Sequence, residues 1–236
     1  MAAQAPEALA RECDVVATIV GGPDDVVSLF ERMLPHARPG TVFLEMTTAS
    51  PRTSALLCPT AERARVVVLD CPVTGGVGAA QQGTSTHFVG GNARSLASCR
   101  SLLEVLAQRV VHCGDAGSGY RMKLINQTMV AGILLGLADG SALARTSGFD
   151  AGVVRDALGA GTASGPLFHS YIERVLDPTG AVTFTVGMLR KDLQLARDEA
   201  LVSGGSVRLL DFALALAHEA CERYGAAAGV QSLAAL

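Results

Sequence analysis

Lys123, Asn126 and Gln127 stand at i, i+3 and i+4 in the segment GYRMKLINQ, so a helix there places three polar groups on one face of an otherwise apolar stretch. A lysine set in an apolar wall has its charged form disfavoured and can give or take a proton near neutral pH. A lysine near a helix start whose head reaches water is the more common arrangement. The segment Asp70–Gly78, DCPVTGGVG, follows a β-branched run. Ligands of open α/β sheets bind beyond the carboxyl ends of strands. There the N–H groups of Gly75 and Gly76 can cradle an anion beside the Thr74 hydroxyl, although an ordinary glycine-rich turn explains the same residues. Two further segments carry polar groups. Lys191 lies in RKDLQLARD, which alone reads as a solvated charged helix face, and Thr48 lies in EMTTASP, which alone reads as a normal turn. GSGYRMKLIN opens like a dinucleotide fingerprint, but Met122 replaces the third glycine. The six cysteines form no C-x-x-C pair and have no histidine at ligand spacing, so no metal site is expected.

Nineteen basic against 22 acidic side chains leave a formal charge of −3, which argues against a nucleic-acid partner. Hydrophobic residues make up 49%, enough for a globular core. The start, MAAQAPEALARECD, has no apolar stretch of the kind that opens a secretory signal. The 15-residue apolar stretch Leu124–Ala138 falls short of the roughly 20 residues that span a bilayer. These features predict a cytoplasmic protein with no membrane partner.

The elements that must position these groups alternate in the first half. Strands are expected at Asp14–Val20, Thr41–Met46, Arg65–Asp70, Thr86–Gly90 and Val110–His112. Helices are expected after Asp24–Asp25, over Arg52–Arg63 with an interruption near Pro59, and over Ala93–Leu106, with Pro72–Gly78 a loop. Alternation of this kind implies an α/β sheet, parallel at least in its first part. Beyond residue 115 the pattern is all helical: Tyr120–Ser147 as one long helix, then Val153–Leu158, Leu167–Val175, Val186–Leu201 and Val207–Tyr224. The expected division is an α/β domain over 1–116 and an all-α domain over 117–236, joined by the long helix at about 119–147.

In this order, DCPVTGG, GSGYRMKLIN and KDLQLARD resemble the three signatures of the β-hydroxyacid dehydrogenase family, and the resemblance runs from about Ala8 to the C-terminus. It implies a Rossmann-type dinucleotide-binding domain joined to an all-α domain. The implied activity is hydride exchange between NAD or NADP and a small β-hydroxyacid, or its aldehyde or keto acid. By the same resemblance Lys123 is the general acid/base on the substrate hydroxyl, and Thr74, Gly75 and Gly76 hold the substrate carboxylate. Asn126 and Gln127 contact substrate, while Lys191 and Thr48 approach the cofactor. Val20 and Gly21 occupy the place where a Leu-Pro pair usually borders the cofactor. Family members also imply a homodimer or homotetramer.

Relatives open with a strand, a glycine-rich phosphate loop, a helix and a second strand. The resemblance here starts just before their third strand, so an incomplete Rossmann-type sheet is expected, lacking roughly 50 residues of that pattern, the phosphate loop among them. That makes a non-catalytic homologue, acting as an interaction or oligomerisation module, the alternative to an active dehydrogenase. An imine reductase, which shares the architecture, is a weaker third reading because such enzymes generally do not keep this lysine.

Overall fold

The computed structural model describes residues 4–176 and 181–236. Two compact units divide the chain, residues 1–125 and 126–236, and the long helix α6 (Ser118–Thr146) carries it from the first into the second.

The first unit holds the sheet. In chain order it comprises α1 (Pro6–Glu12), β1 (Val15–Thr18), α2 (Pro23–Met33), β2 (Val42–Glu45), α3 (Pro51–Arg63), β3 (Val67–Asp70), β4 (Val73–Thr74), α4 (Gly76–Gln82), β5 (Thr86–Gly90), α5 (Ala93–Leu106) and β6 (Arg109–Gly114). β1, β2 and β3 pair in parallel, with Val15, Val42 and Val67 in register at their starts. β2 is buried along its whole length, as expected of the middle strand of three covered on both faces. Its period of two sends Phe43 to one layer and Val42 and Leu44 to the other. Phe43 packs edge-on against Phe30 of α2, 4.9 Å between ring centroids, among residues of α1, α2 and α3. Leu44 and Leu69 pack with Leu96, Cys99 and Leu103 of α5 on the opposite face.

The parallel run of β1 to β3 does not continue into the next strand. β5 runs antiparallel to both β3 and β4, and β6 returns parallel to β5. The segment between β3 and β5 explains the reversal: it is occupied by the short β4 and the seven-residue α4, and a parallel return would need a full crossover helix. The expected loop at Pro72–Gly78 is therefore a strand and the start of a helix.

α3 passes through Pro59 without a break. Proline removes one intrahelical hydrogen bond, to the carbonyl four residues earlier. Both Pro59 and Ala55 face solvent, where water can satisfy that carbonyl.

The second unit is helical: the remainder of α6, then α7 (Ala151–Gly159), α8 (Pro166–Leu176), α9 (Val186–Val202), α10 (Arg208–Tyr224) and a 3-10 segment at Val230–Ala235. Side-chain oxygens accept the orphan N–H groups at two helix starts, Asp150 from Gly152 and Val153 of α7, and Thr185 from Met188 of α9. Phe168, Ile172 and Val175 of α8 form an apolar cluster that Leu137 of α6 joins. The C-terminal segment crosses the start of α9 through hydrogen bonds from Val186 to Ala228, Gly187 to Ala226 and Val230 to Phe184. At 29 residues α6 exceeds the expected apolar stretch, and by length and composition alone it could cross a bilayer. The buried core helix of a multi-helix protein has the same properties.

Candidate active site

The carboxyl ends of β1, β2 and β3 lie side by side; the loops after β1 and β2 carry Val20 and Gly21, and Thr48, while Thr74 to Gly76, after β3, run from the end of β4 into the start of α4. Loops in this position are where an open sheet takes its ligand. The backbone here is specific. Gly75 has φ +123° and Gly76 φ +71°, left-handed values that a side chain would strain, and a Cβ on Gly75 would lie 2.6 Å from the Ala79 methyl. Both glycines are exposed and Thr74 is half-buried. At the end of β1, a Cβ on Gly21 would meet Asp25 Oδ2 at 2.6 Å. Ile19 beside it is 66% exposed.

Two buried carboxyl groups organise the strand ends. Asp70, the last residue of β3, accepts from the Gly117 N–H on Oδ1 at 2.6 Å and from the Tyr120 N–H on Oδ2 at 3.0 Å. It therefore does for α6 what an N-cap does, across 50 residues of sequence. Ser54 Oγ adds a bond to Oδ1 at 3.3 Å. Glu45, the last residue of β2, accepts the Tyr120 hydroxyl on Oε2 and the Thr47 N–H on Oε1 at 3.1 Å. Burial raises the Glu45 carboxyl above its ordinary range, against the lowering effect of its bonds to Thr47 and Tyr120, and the nearby Asp70 charge raises it further. Burial and the Glu45 charge also push the Tyr120 phenol up, so it stays protonated and donates. Thr47 in turn accepts the Val20 N–H on its hydroxyl at 2.9 Å.

The helix so held carries Lys123 one turn after Tyr120, and Lys123 is 7% exposed. Its start is packed tightly against the sheet. A Cβ on Gly119 would sit 2.5 Å from the Phe88 carbonyl oxygen, and one on Gly90 2.4 Å from Asp70 Oδ2. Cys71, inside the DCPVTGG segment, is wholly buried beside His87, 3.8 Å from Sγ to Nδ1. Burial pushes its thiol up to about 12, so it is no nucleophile near neutral pH.

The second unit brings together three of the expected residues through a fourth. Gln127 Nε2 donates to Asp192 Oδ2 at 2.7 Å, and Asn126 Nδ2 donates to Gln127 Oε1 at 2.9 Å. Lys191 Nζ lies 3.1 Å from Asp192 Oδ1, an ion-pair contact that lacks hydrogen-bond geometry. Asp192 is 4% exposed, so the KDL segment is not a solvated face at that residue.

Sequence reasoning left out Glu45, Thr47, Asp70, Tyr120 and Asp192 as functional positions. A signal existed for two of them: Glu45 and Asp70 are lone acids closing apolar strands. A second signal concerns the lysines. Of the 19 basic residues only two are lysine, Lys123 and Lys191; every other is arginine. Arginine holds its charge where lysine can lose it, so of these 19 side chains only Lys123 and Lys191 can serve as a proton donor or acceptor near neutral pH.

Residues 1–114 match the family model for the NAD binding domain of 6-phosphogluconate dehydrogenase. Residues 117–236 match the model for the NAD-binding region of NADP-dependent 3-hydroxyisobutyrate dehydrogenase. A probable 3-hydroxyisobutyrate dehydrogenase of Mycobacterium tuberculosis is 31% identical over 216 residues, 87% of this chain and 72% of that protein. The NAD-dependent L-serine dehydrogenase of Pseudomonas aeruginosa is 29% identical over 227 residues, 91% of this chain and 76% of that protein. Among solved structures, the M. tuberculosis 3-hydroxyisobutyrate dehydrogenase with L-serine superposes with a TM-score of 0.84 at 27% identity, covering 98% of this chain and 81% of that one.

Proposed function

Because the chain belongs to the β-hydroxyacid dehydrogenase family, an NAD(P)-dependent group of enzymes, we propose that it oxidises a small 3-hydroxyacid with Lys123 as general base. The observation that carries this reading is Lys123 itself: one of two lysines in the chain, buried, and set on a helix that two strand-end carboxyls hold. A bound dinucleotide supplies the hydride acceptor. Lys123 Nζ, in its neutral form, takes the hydroxyl proton as the carbinol carbon loses its hydride; in the reducing direction the ammonium returns that proton to the forming alkoxide.

The remaining roles follow from chemistry suited to each position. Thr74 with the N–H groups of Gly75 and Gly76 would hold the substrate carboxylate, since both glycines are exposed and carry no side chain over their backbone. Asn126 and Gln127 would contact the substrate, with Gln127 oriented by Asp192. A dinucleotide would lie at the strand ends, with Val20, Gly21 and Thr48 bordering its nicotinamide. Lys191 would approach it as a cation from α9. The L-serine of the M. tuberculosis structure and the activity named for the P. aeruginosa relative make L-serine and 3-hydroxyisobutyrate the first substrates to try.

Calorimetric titration of the purified chain with NADH and NADPH, then turnover with a panel of 3-hydroxyacids, tests the reading. Micromolar binding and dinucleotide reduction with at least one hydroxyacid are expected. A folded chain that binds neither nucleotide would instead favour a non-catalytic interaction module.

A further inference from the structure

We propose that Glu45 and Tyr120 are positioning residues for Lys123: their buried contact orients the first turn of α6 and ties it, through Thr47, to the backbone of Val20. The proposal rests on the role given to Lys123 above.

The first argument is redundancy. Asp70 already accepts the Gly117 and Tyr120 N–H groups, so the start of α6 has its cap without Glu45. The Tyr120 hydroxyl is a second tether, made by a side chain rather than by the backbone. It acts one turn before Lys123, at the i, i+3 spacing that shares a helix face. A cap holds the position of a helix end along its axis; a side-chain tether also resists rotation about that axis. Rotation is what would swing a lysine amine away from a reacting hydroxyl.

The second argument is cost. Glu45 and Tyr120 are each 1% exposed, and a buried carboxyl is expensive unless its hydrogen bonds are satisfied. A hydrophobic pair would fill the same space without that penalty. What the polar pair adds is direction, because a fully satisfied hydrogen-bond network fixes one geometry where apolar packing tolerates several. The network is satisfied on both carboxyl oxygens, by Tyr120 and by Thr47.

The third argument is connectivity. Thr47 bonds Glu45 with its N–H and the Val20 N–H with its hydroxyl. A continuous path thus runs from the loop after β1, assigned above to the nicotinamide, through the end of β2, to the helix bearing the lysine. Each link is a directional bond, so the lysine and the nicotinamide border are held by one frame.

The chain's two lysines make the test direct. Protein labelled with 13Cε-lysine shows one side-chain resonance for Lys123 and one for Lys191, which lies on α9 and serves as internal reference. Spectra and steady-state kinetics are recorded, with dinucleotide present, for the wild type, Tyr120→Phe and Glu45→Gln, after circular dichroism has confirmed folding. In both variants the Lys123 resonance should shift while that of Lys191 stays. In Tyr120→Phe, kcat should fall about tenfold with the KM for dinucleotide unchanged, as expected of a small misplacement of a reacting group. An unmoved Lys123 resonance, or an unmoved kcat, overturns the proposal. If Glu45→Gln does not fold, Tyr120→Phe, which removes a single oxygen, decides the matter. A wild type that turns over no 3-hydroxyacid defeats the functional reading instead, and the resonances still decide whether Tyr120 positions Lys123.

Discussion

Glu45 and Asp70 close adjacent parallel strands at paired positions of the ladder, and each holds a different part of Tyr120, the first its hydroxyl and the second its N–H. Two acids so placed repel one another, and the Asp70 charge is among the causes that raise the Glu45 carboxyl. The start of α6 offsets this with N–H donors and the positive end of a 29-residue helix. The arrangement fixes the helix that carries Lys123 and leads to four expectations.

Lys123→Ala and Lys123→Arg should both lower kcat by about 10²- to 10⁴-fold, the usual worth of a positioned acid/base. Arginine fails because its guanidinium does not release a proton near neutral pH. Dinucleotide affinity, measured by fluorescence titration, should be retained. Near-normal turnover in either variant would remove the lysine from the chemistry.

Gly119→Ala should destabilise the fold by about 1–3 kcal/mol, because the new methyl group meets the Phe88 and Asp70 carbonyl oxygens at 2.5 and 2.7 Å. Gly136→Ala on the same helix meets nothing within 4 Å and should stabilise by up to about 1 kcal/mol through helix propensity alone. Urea unfolding of the two variants measures the contrast, and equal midpoints would contradict the close packing at the start of α6.

The pH dependence of Glu45 has a definite sign. Burial holds its carboxyl above the ordinary 4.5, so the folded chain keeps the proton more strongly than the unfolded one. The stabilisation from that proton is fully present below pH 4.5 and is lost as pH rises through the folded value. Glu45→Gln lacks this dependence. The stability of the wild type relative to the variant, from urea unfolding at a series of pH values, should therefore fall as pH climbs above 4.5. A difference that stays flat or rises would show that the carboxyl is not raised.

Asp192→Ala should cost about 1–3 kcal/mol, since it leaves the buried Gln127 amide without its acceptor. Asp192→Asn, which keeps an acceptor oxygen, should recover most of that loss. Hydrogen exchange should show the damage at the start of α9 and the adjoining part of α6. Uniform protection in Asp192→Ala would mean that the Gln127 contact does not hold these helices together.

What the sequence determined by itself was local or carried by motif. The short β-branched, apolar runs DVVATIV, TVFLEM and RVVVLD are enough for three strands, because the composition that favours a strand is written within each segment. Helix α5 matches its expected bounds for the same reason, an apolar pattern started by Asn92. The three signatures in order were enough for the family, since their spacing along the chain survives without any coordinates. Tertiary structure alone decided the rest. It turned β5 against β3, which no local pattern states, and it brought Asp192 to Gln127 across 65 residues. It also brought Glu45 to Tyr120 across 75 and Asp70 to Gly117 across 47. A hydrogen bond between residues so far apart depends on where the sheet places its strand ends and not on propensity near either partner. Lys123 could thus be named from the sequence, and Glu45 and Asp70 stood out there as lone acids at strand ends, whereas their hold on its helix could be found only in the folded chain.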